Sequence, residues 1–321
     1  MNLFKLIRND NARRIYSSSI IIFLFSVIAC KKDPAIPLPN ECLEIPPFSG
    51  TGFGYSYSVD TNYFLMPYFN PNNEDEFLFV KKNNATGNSD LYIYNLQNNS
   101  KQNIYSGNII FPPKWGKNGW ILINLSDANI YKIKNNGDSL TQLTTSSNLY
   151  YPEWNNLSEK FIVADGQIIN TSYILDENGN FLDTLSFDFS STGSWQDENL
   201  IVSHEYSKIT FYDLDSQTII QEYNYWHELS LWGSVMWLNQ NDIIWSNDRG
   251  LNKLSLDNIS NNFKSSCNSK QYLFGSINSS KTKMIWQRID KELINSDLIG
   301  VKSRIFIMDV DGRNEREILF D

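Results

Sequence analysis

Apolar and polar residues alternate in short runs through residues 60–321, and polar turns separate the runs. Residues 90–96, 129–134, 172–176, 209–213 and 304–309 carry aromatic or β-branched side chains at nearly every second position. A period of two puts such side chains on one face of a strand, where their shape packs well. Three of these runs lead into Asn136-Gly137, Asn178-Gly179 or Asp311-Gly312. Those pairs predict tight hairpins, because glycine enters the left-handed backbone region without a Cβ clash. A further short strand follows the turn, as at residues 139–144 and 316–319. Long helix-forming, Ala-rich runs are missing.

A second phrase precedes each alternating run. Pro113-Lys114-Trp115 and Pro152-Glu153-Trp154 are each followed by a polar turn and an apolar strand, at residues 120–123 and 161–163. Looser copies surround Phe69, Trp195, Trp237 and Ile277. Taken as equivalent, Phe69, Trp115, Trp154, Trp195, Trp237 and Ile277 lie 46, 39, 41, 42 and 40 residues apart. Periods of this size mark repeat architectures. Each unit reads as four strands: an inner strand ending at the Trp, a second strand, the aromatic strand and an outer strand. One such sheet leaves two apolar faces uncovered, and six of them stacked radially cover each other. The prediction is an all-β chain, a six-bladed β-propeller of four-stranded antiparallel blades, with each Trp a wedge between blades. The order Pro-x-Trp, polar turn, apolar strand, aromatic strand, Asp/Asn-Gly resembles the repeats of TolB-type six-bladed propellers over about residues 60–321. Units two and three match well, four and five lack the Pro, and six lacks both Pro and Trp. The Trp-Asp dipeptide of seven-bladed propellers is missing from the expected strand ends, so that relative fits less well. TolB-like proteins act in envelope complexes, so the resemblance implies a binding scaffold.

The start of the chain has a different pattern. Lys5, Arg8, Arg13 and Arg14 lead into residues 20–28, where only Ser26 is polar. That run is too short for a helix to cross a ~30 Å hydrocarbon core but suits a signal peptide. Val27-Ile28-Ala29-Cys30 then resembles the lipobox of bacterial lipoproteins. The resemblance implies cleavage before Cys30 and a diacylglycerol on its thiol; an ordinary signal peptide or a short anchor are the other readings. Lys31 rather than Asp follows, which by the lipoprotein sorting rule implies the outer membrane, facing either the periplasm or the exterior. Five of the ten prolines fall between Pro34 and Pro47 and predict an extended spacer. The domain organisation is therefore 1–29 signal peptide, 30–47 lipidated N-terminus and tether, and 48–321 propeller. Residues 52–59 read as a strand that reaches the last blade if the N-terminus helps to close the ring.

The net charge of −9 falls to −12 once residues 1–29, with four Lys/Arg and one Asp, are removed. Such a surface repels phosphate backbones, and no basic stripe interrupts it, which argues against nucleic-acid binding. Beyond Cys30 the cysteines are Cys42 and Cys267, either a disulfide in an oxidising compartment or two buried thiols. The histidines, His204 and His227, have no metal-ligand spacing, and no cofactor or metal is expected. No Gly-x-Ser-x-Gly, phosphate-cradling Gly loop or His-Glu-x-x-His occurs. Asp309-x-Asp311-Gly312 occupies the hairpin slot of its unit and reads as a turn, not a calcium loop.

Connections between second and third strands, and from each outer strand to the next blade, emerge on one face of a propeller. Here they read as the longer ones, notably residues 223–232 and 288–302. Binding usually resides in loops on a rigid scaffold. The expected partner surface is therefore Tyr223, Tyr225, Trp226, His227, Trp232, His204 and Arg249, holding an envelope protein or peptide segment; the alternative is that residues 223–232 pack over a blade junction. A glycan ligand is the second functional reading, with Glu205, Glu228, Asp248 and Asp290 as acid/base candidates. Glycoside cleavage needs two carboxyls roughly 5–9 Å apart, and spacing along the chain brings no two of them together.

Overall fold

The computed structural model describes residues 56–58, 60–145, 148–168, 171–187, 189, 193–196, 199–205, 208–225, 234–247, 250–257, 259–267, 269–295 and 298–320. Cys30, Cys42, Trp226, His227, Trp232 and Arg249 lie outside the described residues, as do the expected signal peptide and tether.

Six antiparallel sheets form a ring, each following the chain from its inner to its outer strand. Blade one is β2 (Asn62–Asn70), β3 (Asn73–Asn83), β4 (Ser89–Asn95) and β5 (Lys101–Gly107). Blade two is β6 (Lys114–Trp115), β7 (Trp120–Asn124), β8 (Ile130–Lys134) and β9 (Thr141–Gln142). Blade three comprises β10 (Leu149–Trp154), β11 (Lys160–Asp165), β12 (Ser172–Asp176) and β13 (Phe181–Leu185). Blade four comprises β14 (Ser194–Trp195), β15 (Leu200–Glu205), β16 (Lys208–Asp213) and β17 (Thr218–Asn224). Blade five is β18 (Val235–Trp237), β19 (Asp242–Asn247), β20 (Gly250–Ser255) and β21 (Ser260–Ser265). Blade six holds β22 (Lys270–Ile277), β23 (Lys283–Asn295), β24 (Leu298–Asp309) and β25 (Arg316–Glu317). Ahead of blade one, β1 (Ser56–Ser58) lies parallel to the start of β24, opposite Ile299–Val301. The last blade thus takes strands from both ends of the described chain.

The apolar core is divided among the blade junctions. Trp115 packs with Leu78, Val80 and Leu91 of blade one, Trp154 with Leu122 and Ile130 of blade two, and Trp195 with Ile162 of blade three and with Phe187 and Phe189, which follow its outer strand. Trp237 packs with Phe211 of blade four, and Phe69 closes the ring against Ile285, Ile305 and Ile307 of blade six. In each case the residue at the end of an inner strand leans on the preceding blade. That is the wedge role predicted for it, and it explains why a large side chain recurs about every forty residues. Polar atoms join the first and last blades as well. The Phe69 amide donates to Ser276 Oγ at 2.7 Å, the Met66 amide to Gln287 Oε1 at 3.0 Å, and Ser303 Oγ to the Phe64 carbonyl at 2.9 Å.

Residues 288–295 and 298–302 are strand, not loop. They belong to a hairpin whose strands pair from Lys283↔Asp309 to Asn295↔Leu298. The charges that read as loop chemistry instead join neighbouring strand positions: Asp290 with Arg288, Glu292 with Lys302. His204, Glu205 and Asn247 are likewise strand residues. At Gly312, with φ +83°, the hairpin turn is closed by its amide donating to the Asp309 carbonyl. Asp309 pairs with Lys283 and Asn314, and Asp311 with Arg313, as in a solvated turn.

Candidate functional site: the mouth of the central channel

The residue before each wedge points to a common place. Tyr68, Lys114, Glu153, Ser194, Met236 and Ser276 precede Phe69, Trp115, Trp154, Trp195, Trp237 and Ile277, and all six line one cavity of about 500 Å³. Alternation along the inner strand accounts for this: if the wedge lies between blades, its neighbour faces the axis of the ring. In blades one and three a bulge precedes the pair, with Met66 at φ 55° and Tyr151 at φ 58°. Bulges bend a strand and re-aim its side chains.

One side of this lining is ionic. Lys114 Nζ lies 2.5 Å from Glu153 Oε2, with side chains only 13% and 5% exposed. Tyr68 hydrogen-bonds the same carboxylate, and Lys114 Nζ sits 5.1 Å from the centre of its ring. Burial pushes the Glu153 carboxyl above its ordinary range, against the pull of Lys114 and Tyr68. Burial, and then the Glu153 charge, drive the Tyr68 phenol far upward.

The rim is built by the turns between first and second strands. In blades two, three and six the same turn recurs: the Gly119 amide donates to the Gly116 carbonyl, Ser158 to Asn155 and Lys281 to Asn278. The donating residue is left-handed each time, at φ 79°, 60° and 59°. Lys117 and Lys281 both border the cavity; Lys117 Nζ donates to Asn156 Oδ1 at 2.8 Å and Lys281 Nζ to the Trp237 carbonyl at 3.0 Å. Lys281 is exposed as a residue, yet crowding around its ammonium, and then the Lys117 charge, lower its pKa. Among the described residues the lining holds three lysines and one carboxylate, a local excess of positive charge on an acidic chain.

The opposite face turns out differently from the sequence-based expectation. His204, Tyr223 and Tyr225 do come together, but against Trp245 in the junction of blades four and five. The Tyr225 ring lies 4.4 Å from that of Trp245 and stacks on His204 at 5.7 Å, and its hydroxyl contacts His204 Nε2. His204 is buried. These three side chains pack that junction, and Asp290 is bound to Arg288 at 2.8 Å. Cys267 is buried and disulfide-bonded, and its partner lies outside the described residues. Among the described residues no group of His, Cys, Asp and Glu could hold a metal ion, and no helix is long and apolar enough to cross a membrane. The channel residues escape the sequence reading, which places binding on the face with the longer connections. The available signal was the x of Pro-x-Trp, occupied by Lys114 and then by Glu153.

The sequence matches no family model and no curated protein. The fold is nevertheless recognisable. The structure of putative TolB from Agrobacterium tumefaciens is similar to this chain with a TM-score of 0.52 at 14% identity, covering 72% of this chain and 88% of that one. The C-terminal WD40 domain of Sif2 superposes at 0.47 with 14% identity, over 83% of this chain and 98% of that domain. The chain is a six-bladed β-propeller structurally similar to the TolB protein, and at such identity the likeness concerns the fold alone.

Proposed function

We propose that this propeller is a non-catalytic binding scaffold, held at the outer membrane by a lipid on Cys30, which receives an envelope protein or peptide segment at the channel mouth. The observation that carries the reading is the cavity to which each of the six blades contributes the side chain before its wedge. A cavity of this size falls in the ~300–1,000 Å³ range of ligand sites. Its one described carboxylate is already matched to Lys114 and Tyr68, an arrangement that suits a fixed lining better than proton transfer. A photo-crosslinking residue at Gln240, on the rim, should capture one specific partner from detergent-solubilised envelope. The same residue at Phe181, an exposed position on an outer strand, should capture none. Equal capture from both positions overturns the assignment. Cys30→Ser should move the protein out of the membrane fraction, and unchanged fractionation overturns the anchor.

A further inference from the structure

We infer that the channel mouth recognises a carboxylate, with Lys117 and Lys281 as the contacting cations. The inference rests on the mouth being the binding surface and adds the chemistry of what is bound. Three observations support it. First, the two lysines come from blades two and six, on either side of blade one, yet they line the same cavity rim, and the Lys117 charge bears on the Lys281 ammonium. Two cations on one rim repel each other, and an anion between them removes that cost. Second, among the described residues neither is paired with a carboxylate: their hydrogen bonds go to the Asn156 amide and the Trp237 carbonyl. The carboxylates nearby are committed elsewhere. Glu153 serves Lys114, and Glu74 takes hydrogen bonds from Ser279, Ser280 and Asn278 on the turn that carries Lys281.

Third, Lys281 occupies a costly backbone position. Its turn needs a left-handed residue, and blade two uses Gly119 there. A lysine with φ 59° is strained relative to glycine, and strain of this kind collects at functional positions. Around the two lysines, Asn156, Gln196, Asn239 and Ser279 line the cavity with amides and a hydroxyl. That setting suits a small organic acid or an acidic residue of a bound segment, and among the described residues it offers no planar arginine fork for phosphate.

The test is titration calorimetry on the full chain in detergent with glutarate, its neutral analogue glutaramide, and a Glu-containing hexapeptide with its Gln counterpart. Saturable binding of glutarate points to a free acid, and binding of the Glu peptide alone points to a segment of a partner; both support the inference. Lys117→Met should weaken that binding about tenfold, consistent with loss of one charge-assisted contact. Lys281→Gly should weaken it similarly while the thermal midpoint holds or rises, because the turn relaxes. Equal binding of the neutral analogues, or no saturable binding by any of the four, overturns the inference. Capture of a partner through Gln240 without carboxylate binding leaves the scaffold standing and removes only its carboxylate selectivity.

Discussion

Lys114 and Glu153 hold the same place in consecutive repeats, one residue before the Trp wedge, and their side chains meet 2.5 Å apart across two blades. Two positions that look interchangeable along the chain are thus the two halves of one buried pair. Desolvating two charges is expensive, so such a pair is worth less than its geometry suggests, and breaking it on one side is what costs most. Lys114→Met alone should destabilise the propeller by about 3 kcal/mol, since it strands the Glu153 carboxylate. Lys114→Met with Glu153→Leu should recover most of that loss. A denaturant double-mutant cycle reads the coupling directly, and additive losses would show that the pair is not coupled.

The indoles permit a cleaner comparison. Trp237 Nε1 donates to the Ser194 carbonyl at 3.2 Å, whereas Trp154 Nε1 is buried with no hydrogen-bond partner. Both rings are wedges, so Phe at either site removes similar volume. Trp237→Phe should cost about 1 kcal/mol more than Trp154→Phe, the net worth of one hydrogen bond. Ala at either site should cost about 3–5 kcal/mol, the usual penalty for emptying an aromatic position in a core.

Acid should weaken the junction of blades five and six. Burial alone would raise the Glu315 carboxyl, but the Tyr272 hydroxyl at 2.6 Å, Lys264 at 2.9 Å and Arg288 at 3.1 Å outweigh it and hold its pKa below the ordinary 4.5. A carboxyl lowered on folding contributes stability above its unfolded pKa and loses it as pH falls through the folded value. The midpoint should therefore drop below about pH 4.5, and Glu315→Gln should flatten that limb while lowering the plateau above it. Thermal melts between pH 3 and pH 7 decide the point, and a parallel shift of the whole curve contradicts it.

Tyr225 separates packing from binding on the other face. Its ring lies against Trp245 and His204, so Tyr225→Ala should lower the midpoint by several degrees, at roughly 2–4 °C per kcal/mol for a domain of this size. Partner capture through Gln240 should survive at temperatures where the variant is folded. A stable variant that has lost capture would restore that face as the binding surface.

How much of this was legible in the chain differs from feature to feature. The forty-residue recurrence of Phe69, Trp115, Trp154, Trp195, Trp237 and Ile277, with alternating strands and Asn-Gly or Asp-Gly turns between them, carries the blade count and the strand order. Those features are local, and a sheet with two apolar faces has few ways to cover both. Even the wedge role follows, because a large apolar residue at a fixed phase of every repeat must meet the neighbouring sheet. Residues 288–302 were misread because strands that run beyond the blade expose polar side chains, and exposed strand and loop then share one composition.

The channel was out of reach for a different reason. Whether the residue before the wedge faces the axis depends on the closure of the ring, and ring closure brings together side chains that lie between 39 and 213 residues apart, from Lys114 with Glu153 to Tyr68 with Lys281. The sequence by itself determines the repeat, the strands and the side chains that must be buried, since these follow from period and propensity. Only the tertiary structure decides that Lys114 answers Glu153, that Lys117 and Lys281 share one rim, and that His204, Tyr223 and Tyr225 pack together. Charge and contact act through space, and the distances that govern them exist only once the six blades have closed.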